Sequence, residues 1–174
     1  MKVKFLLLAS VLSVSAAWAA EEVKPDPMTE DGVVKILWQN PKDYRDVKSS
    51  GDIQSRYEAR LFETLTANIN KEASKILKPN QKLEMTVTDV DLAGDMRPTF
   101  GATANDLRVI KDLYPPRMTF KYQVIENDKV IVAGDEKLTD MGFMTSSPSL
   151  SDKPFNYETE MLRDWLKKTI APQI

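Results

Sequence analysis

KLEMTVTDVDLAG, residues Lys82 to Gly94, alternates apolar and polar side chains with a period of two. Leu83, Met85 and Val87 share one face; Glu84, Thr86 and Thr88 share the other. A pleated chain sends successive side chains to opposite sides, so this pattern predicts a half-buried strand. The strand then ends in acids: Asp89, Asp91 and, just beyond, Asp95. Unbroken alternation would put Asp89 and Asp91 on the Leu83 face, about 7 Å apart. Two ionised carboxylates at that spacing repel by roughly 2 kcal/mol at an effective dielectric of 20. A cation, amide donors or open water must offset this.

Upstream the period changes. Tyr57, Leu61, Leu65 and Ile69, with Phe62, Ala73 and Ile76 beside them, mark one face of a helix that stops before Pro79. Ser55 and Glu58 have capping-box spacing at its start. Before it, VVKILWQ (Val33 to Gln39) reads as a strand with Val34, Ile36 and Trp38 on one face, stopped by Asn40-Pro41.

Downstream, PRMTFKYQVIENDKVIVAGDEKLTD predicts a hairpin. Met118, Phe120, Tyr122 and Val124 line one face of its first strand, and Val130, Val132 and Leu138 belong to the return. Asn127-Asp128 tolerate the positive φ of a tight turn. A final helix has Asn156 as its expected cap, the stripe Tyr157, Met161, Leu162, Trp165, Leu166 and Ile170, and Pro172 as its stop.

The order strand–helix–strand–strand–strand–helix predicts an α+β two-layer sandwich. Its expected core is a mainly antiparallel four-stranded sheet with two helices on one face. Thr86, Thr88, Lys121 and Gln123 should occupy the open face. Two long connections, Gly94 to Pro116 and Asp140 to Asn156, carry apolar residues, among them Leu107, Ile110, Met141, Phe143 and Met144. Loops this long are functional or hide a short element, and LRVIKDLY (Leu107 to Tyr114) suits the second reading. Tyr114, Phe143 and Trp165 are expected in the core.

The chain opens with an export signal: Lys2 and Lys4, an apolar run from Phe5 to Val14, then Ala17-Trp18-Ala19. Cleavage after Ala19 gives a signal peptide over 1–19, a flexible acidic tail over 20–32, and a single domain over 33–174. No later run is long enough to cross a bilayer. The expected location is the periplasm, with secretion as the alternative. Without Lys2 and Lys4 the basic residues number 24 − 2 = 22 against 26 acidic, a net charge near −4 that argues against a nucleic-acid partner.

The chain has neither histidine nor cysteine. That removes imidazole bases, Ser-His-Asp triads, Cys-His pairs and the common zinc ligand sets. Its six glycines form no phosphate loop or dinucleotide fingerprint. No catalytic, metal-ligating or cofactor-binding residue is assigned. The carboxylates admit three readings. They hold arginines or backbone amides, with Arg97, Arg108 and Arg117 available and Arg108 the preferred partner. They contact a ligand directly. Or they bind Ca²⁺, for which the spacing is poor, because the twelfth residue from Asp89 is Phe100 rather than Glu. Arg117 has the wrong parity to meet Asp91 unless a bulge intervenes. The candidate binding residues are Asp89, Asp91, Asp95, Arg108, Tyr114 and Arg117.

In combination, VTDVDLAGD, RVIKDLYPPR, GDEKLTDMGF and YETEMLRDWL resemble the bacterial family known as domain of unknown function 3016, from about Val33 to Leu166. The resemblance implies an exported protein of Gram-negative bacteria. It implies no activity, so no residue role comes with it. The resulting expectation is a non-enzymatic binding or accessory domain of the cell envelope, with an envelope protein or small ligand as partner. The alternative is a hydrolase of envelope polymers, working through carboxylates or an oxygen-ligated metal.

Overall fold

The structure, a computed structural model, describes residues 25–98, 107–146 and 153–174. The signal peptide, the first part of the expected tail, Phe100 and most of the Ser-rich stretch after Thr145 lie outside the described residues.

The fold is α+β. Five strands form one mixed sheet: β1 (Met28–Asp31), β2 (Val34–Trp38), β3 (Gln81–Asp91), β6 (Arg117–Glu126) and β7 (Lys129–Thr139), in the order β1-β2-β3-β6-β7. A separate two-stranded arm is built from β4 (Asp95–Arg97) and β5 (Leu107–Val109). Helices α1 (Gln54–Ala73), α2 (Phe143–Ser146) and α3 (Asn156–Trp165) are accompanied by a 3-10 turn at Pro41–Asp43, and α3 runs on through a π-helical turn at Leu166–Ile170 into a 3-10 turn at Ala171–Gln173.

Two features correct the expected four-stranded, mainly antiparallel sheet. First, Met28 to Asp31, within the segment read as a tail, pairs antiparallel with β2. Thr29 fixes it: the Trp38 Nε1–H donates to its hydroxyl at 2.8 Å, and that hydroxyl shares a hydrogen bond with Thr66 of α1 at 2.6 Å. Second, β2 and β3 run parallel, from Val34 beside Leu83 to Trp38 beside Val87. Parallel neighbours need a crossover of about a dozen residues or more, and α1 supplies it.

The core forms where one sheet face meets α1 and α3. Val34, Ile36, Trp38, Leu83, Val87, Phe120 and Val124 point inward and are buried. α1 answers with Leu61, Phe62, Leu65, Ile69 and Ala73. Each large apolar side chain buried here contributes about 1.5–3 kcal/mol. Trp38 and Phe62 stack with ring centroids 4.3 Å apart, and Trp165 of α3 sets its edge against Phe120 at 4.9 Å and Tyr122 at 5.1 Å. Asn68 of α1 donates to Thr159 of α3 at 3.0 Å, tying the helices together.

Local chemistry differs from expectation at both helix starts. α1 begins at Gln54 after Ile53, with no side-chain cap bond. Glu58 accepts from the Gln54 side chain at 2.7 Å rather than closing a box with Ser55. In α3 the residue preceding the helix is Phe155, at φ 56°, so Asn156 is already inside the first turn. The hairpin turn is as expected, with Asn127 at φ 49° and Asp128 at φ 63°. In the two long connections, Leu107 to Val109 forms β5 of the arm, and Phe143 starts α2. Phe143 is buried against Tyr157, whereas Met141 and Met144 stay exposed.

Candidate functional site

A bulge decides where the aspartates go. Val87 pairs with Phe120 and Asp89 with Thr119, so Thr88 is the extra residue on β3. One inserted residue inverts the alternation beyond it. Val90 and Leu92 therefore turn into the core, and Asp89 and Asp91 leave the Leu83 face for the open one. This corrects the shared face expected from unbroken alternation. It also resolves the parity of Arg117, which lies directly across from Asp91 in the ladder.

The segment after β2 then runs along the end of β3. The Asp46 N–H donates to the Val90 carbonyl at 3.3 Å, and the buried Tyr44 hydroxyl donates to the Val87 carbonyl at 2.9 Å. Asp89 accepts from the Arg45 backbone N–H at 3.1 Å and pairs with the Arg45 guanidinium at 3.4 Å. Asp91 lies between two guanidinia, 3.6 Å from Arg45 and 3.7 Å from Arg117. Burial pushes the Asp91 carboxyl above its ordinary value, against the opposing pull of Arg45 and Arg117.

Arg108 was the expected partner of these acids. The arm delivers it elsewhere, because pairing β5 onto β4 aims it at Asp46, which it meets at 2.7 Å, and at the Ala93 carbonyl at 3.4 Å. Its Nη2 is buried and has no partner among the described residues. Asp95 pairs with Arg97 at 2.7 Å. Arg97 in turn donates to the Tyr114 hydroxyl at 2.6 Å, and the Tyr114 carbonyl accepts from Gly94 at 3.0 Å. Tyr114 is half-buried at the rim rather than in the core.

These contacts enclose a depression of about 240 Å³, with Arg45, Lys48, Asp91, Asp95, Tyr114 and Arg117 in its lining. Four of the six candidate residues line it; Asp89 and Arg108 stand immediately behind, each bonded to the segment that forms one wall. Among the described residues, no group of three or more acidic side chains is arranged to hold a metal ion. A second depression, about 370 Å³, lies on the open sheet face between Lys35, Glu84 and Lys121, where Gln123 donates to Glu84 at 2.8 Å.

Four residues of this region were missed in the sequence. Arg45, Asp46 and Lys48 lie in DYRDVKSS, which has neither period, so nothing there announced that the segment would return to β3. Glu158 did leave a signal. Its spacing to Met161, Leu162 and Trp165 places it on the apolar stripe of α3. It is fully buried and accepts from the Ala93 N–H at 2.8 Å. Burial raises its carboxyl above the usual range, opposed by the Ala93 amide, its own amide and Arg108.

No helix among the described residues is long and apolar enough to cross a membrane. No curated protein and no solved structure matches the chain. A family model does match, described as protein of unknown function (DUF3016), over residues 32–168. That span takes in every strand from β2 to β7, the helices α1, α2 and α3, and all six candidate residues, so the chain belongs to the DUF3016 family.

Proposed function

We propose that the chain is a periplasmic domain of the cell envelope that works by binding rather than by catalysis. Its working surface is the depression at the end of β3. One observation carries this reading: the carboxylates that looked catalytic, Asp89, Asp91 and Asp95, hold Arg45, Arg117 and Arg97, while the depression beside them stays open to solvent. Export is supported by the Lys2, Lys4 and Ala17-Trp18-Ala19 pattern at the start of the chain. Secretion beyond the envelope is the alternative destination.

A photo-crosslinker at Leu113, an exposed residue of the lining, tests the reading in cells. A specific adduct in the envelope fraction, absent when the crosslinker replaces exposed Lys75 just past the C-terminal end of α1, is the expected result. Equal labelling at both positions, or none, overturns it.

A hydrolytic reading keeps one observation in its favour. Burial holds the Asp91 carboxyl above its ordinary value, the direction a general acid needs. Its test is the double variant Asp89→Asn and Asp91→Asn. Retention of any hydrolytic activity detected in the wild type ends that reading.

A further inference from the structure

We propose that the depression at the end of β3 is an anion site, built to take a phosphate or carboxylate group carried on a small molecule. This rests on the binding reading above and names its ligand chemistry.

The first ground is how the local charges are paired. Two carboxylates of the lining are already matched by cations outside it: Asp46 by Arg108 and Asp95 by Arg97, both at 2.7 Å. What remains in the lining is Arg45, Lys48 and Arg117 against Asp91. Adding Asp89, Arg97 and Arg108, five cations (Arg45, Lys48, Arg97, Arg108, Arg117) meet four aspartates (Asp46, Asp89, Asp91, Asp95). A locally positive depression is unexpected on a chain whose formal net charge is −2. Beyond this count, exposed Lys111 and Asp112 beside Leu113 carry opposite charges, and burial works against the charge of Glu158, behind Ala93.

The second ground is unspent donors. A charge-assisted N–H···O bond is about 2.7–2.9 Å long. Asp91 lies 3.6 and 3.7 Å from its two guanidinia, so it neutralises them without using their N–H groups. Neither the Arg45 nor the Arg117 guanidinium makes a hydrogen bond within that limit to a described residue. Guanidinium forks match the oxygens of carboxylates and phosphates in pairs, which a lysine cannot do. Lys48 adds a point charge at the rim.

The third ground is size and walls. About 240 Å³ falls below the roughly 300–1,000 Å³ of pockets for drug-sized ligands. It has room for one charged group and a ring. Leu113, Tyr114 and Pro115 supply the apolar side on which a ring would rest.

Isothermal titration calorimetry on the signal-cleaved full chain at low ionic strength tests the inference, because salt screens such sites. The probes are glucose 6-phosphate and glucuronate, with glucose and sodium chloride as controls. Binding of either anion but not of glucose is expected, and the two probes separate a phosphate site from a carboxylate site. Arg117→Gln should weaken binding about tenfold or more, the range expected for a lost charged hydrogen bond. Lys48→Gln, at an exposed position with no ion pair or hydrogen bond to a described residue, should weaken it several-fold with the melting temperature unchanged. Absence of anion binding, or equal binding in both variants and the wild type, overturns the inference. A Leu113 adduct obtained without anion binding would overturn the anion chemistry alone and leave the binding role standing.

Discussion

The backbone N–H of Arg45 donates to Oδ1 of Asp89 across 3.1 Å, joining the segment after β2 to the far end of β3. The guanidinium of the same arginine adds a longer ion pair, 3.4 Å, in which the Arg45 side chain is 52% exposed. An ion pair that exposed is worth little, so the amide bond carries most of the contact. Asp89→Asn keeps an acceptor and should change stability only slightly. Asp89→Ala removes it and should cost about 1 kcal/mol, or about 2–4 °C in Tm for a domain of this size. Thermal denaturation followed by circular dichroism compares the two. Equal losses would show that the charge, not the acceptor, holds the segment.

Glu158 should make stability fall with pH. Its folded-state pKa lies above the ordinary 4.5, so folding favours the protonated form. Its protonated form stabilises the fold below about pH 4.5, and that contribution is lost as pH rises through the raised value. Glu158→Gln keeps an acceptor for Ala93 and cannot ionise. The Tm difference between Glu158→Gln and the wild type should therefore move in favour of the variant between pH 4 and pH 8. A difference independent of pH would contradict a buried, titrating carboxyl.

Gly94 sits at φ 88°, where an added Cβ would come within 2.8 Å of the Val109 carbonyl and of Ile110. Both backbone strain and this clash oppose a side chain, together costing on the order of 1–3 kcal/mol. Gly94→Ala should loosen the β4–β5 arm in particular. Limited proteolysis is expected to cut the variant faster between Asp95 and Tyr114, with the sheet core remaining intact.

Thr29→Val tests whether β1 is a working part of the sheet. The substitution keeps the shape but leaves the Trp38 Nε1–H and the Thr66 hydroxyl without their shared partner. The expected loss is about 1–2 kcal/mol, with a change in Trp38 fluorescence. An unaffected Tm would mean that β1 is held by its backbone pairing alone.

Much of the fold was legible because periodicity reports burial directly. Leu83, Met85 and Val87, Leu61 to Ile69, and Met161 to Ile170 each announced the face they bury. Thr88 was not legible, because a bulge is a backbone event without a residue signature, and it moved both aspartates to the opposite face. The parallel pairing of β2 with β3 was hidden for a related reason. Val34, Ile36 and Trp38 show which face is buried but not which neighbour they join. At the site, Asp91 and Arg117 could be named from sequence, but their contact could not, since it depends on that bulge. Arg45 lay outside any pattern and emerged only when its segment was seen beside β3.

The parallel seam between β2 and β3 also sets an order of assembly. β6 and β7 meet through a two-residue turn, so their pairing closes almost no chain. β2 finds β3 only after all of α1 has been laid down between them, and loop-closure entropy rises with the length enclosed. The β6–β7 ribbon should therefore nucleate the sheet, and β1 and β2 should dock last and detach first. Pulsed hydrogen exchange during refolding is expected to protect Lys121 to Val124 before Val34 to Trp38.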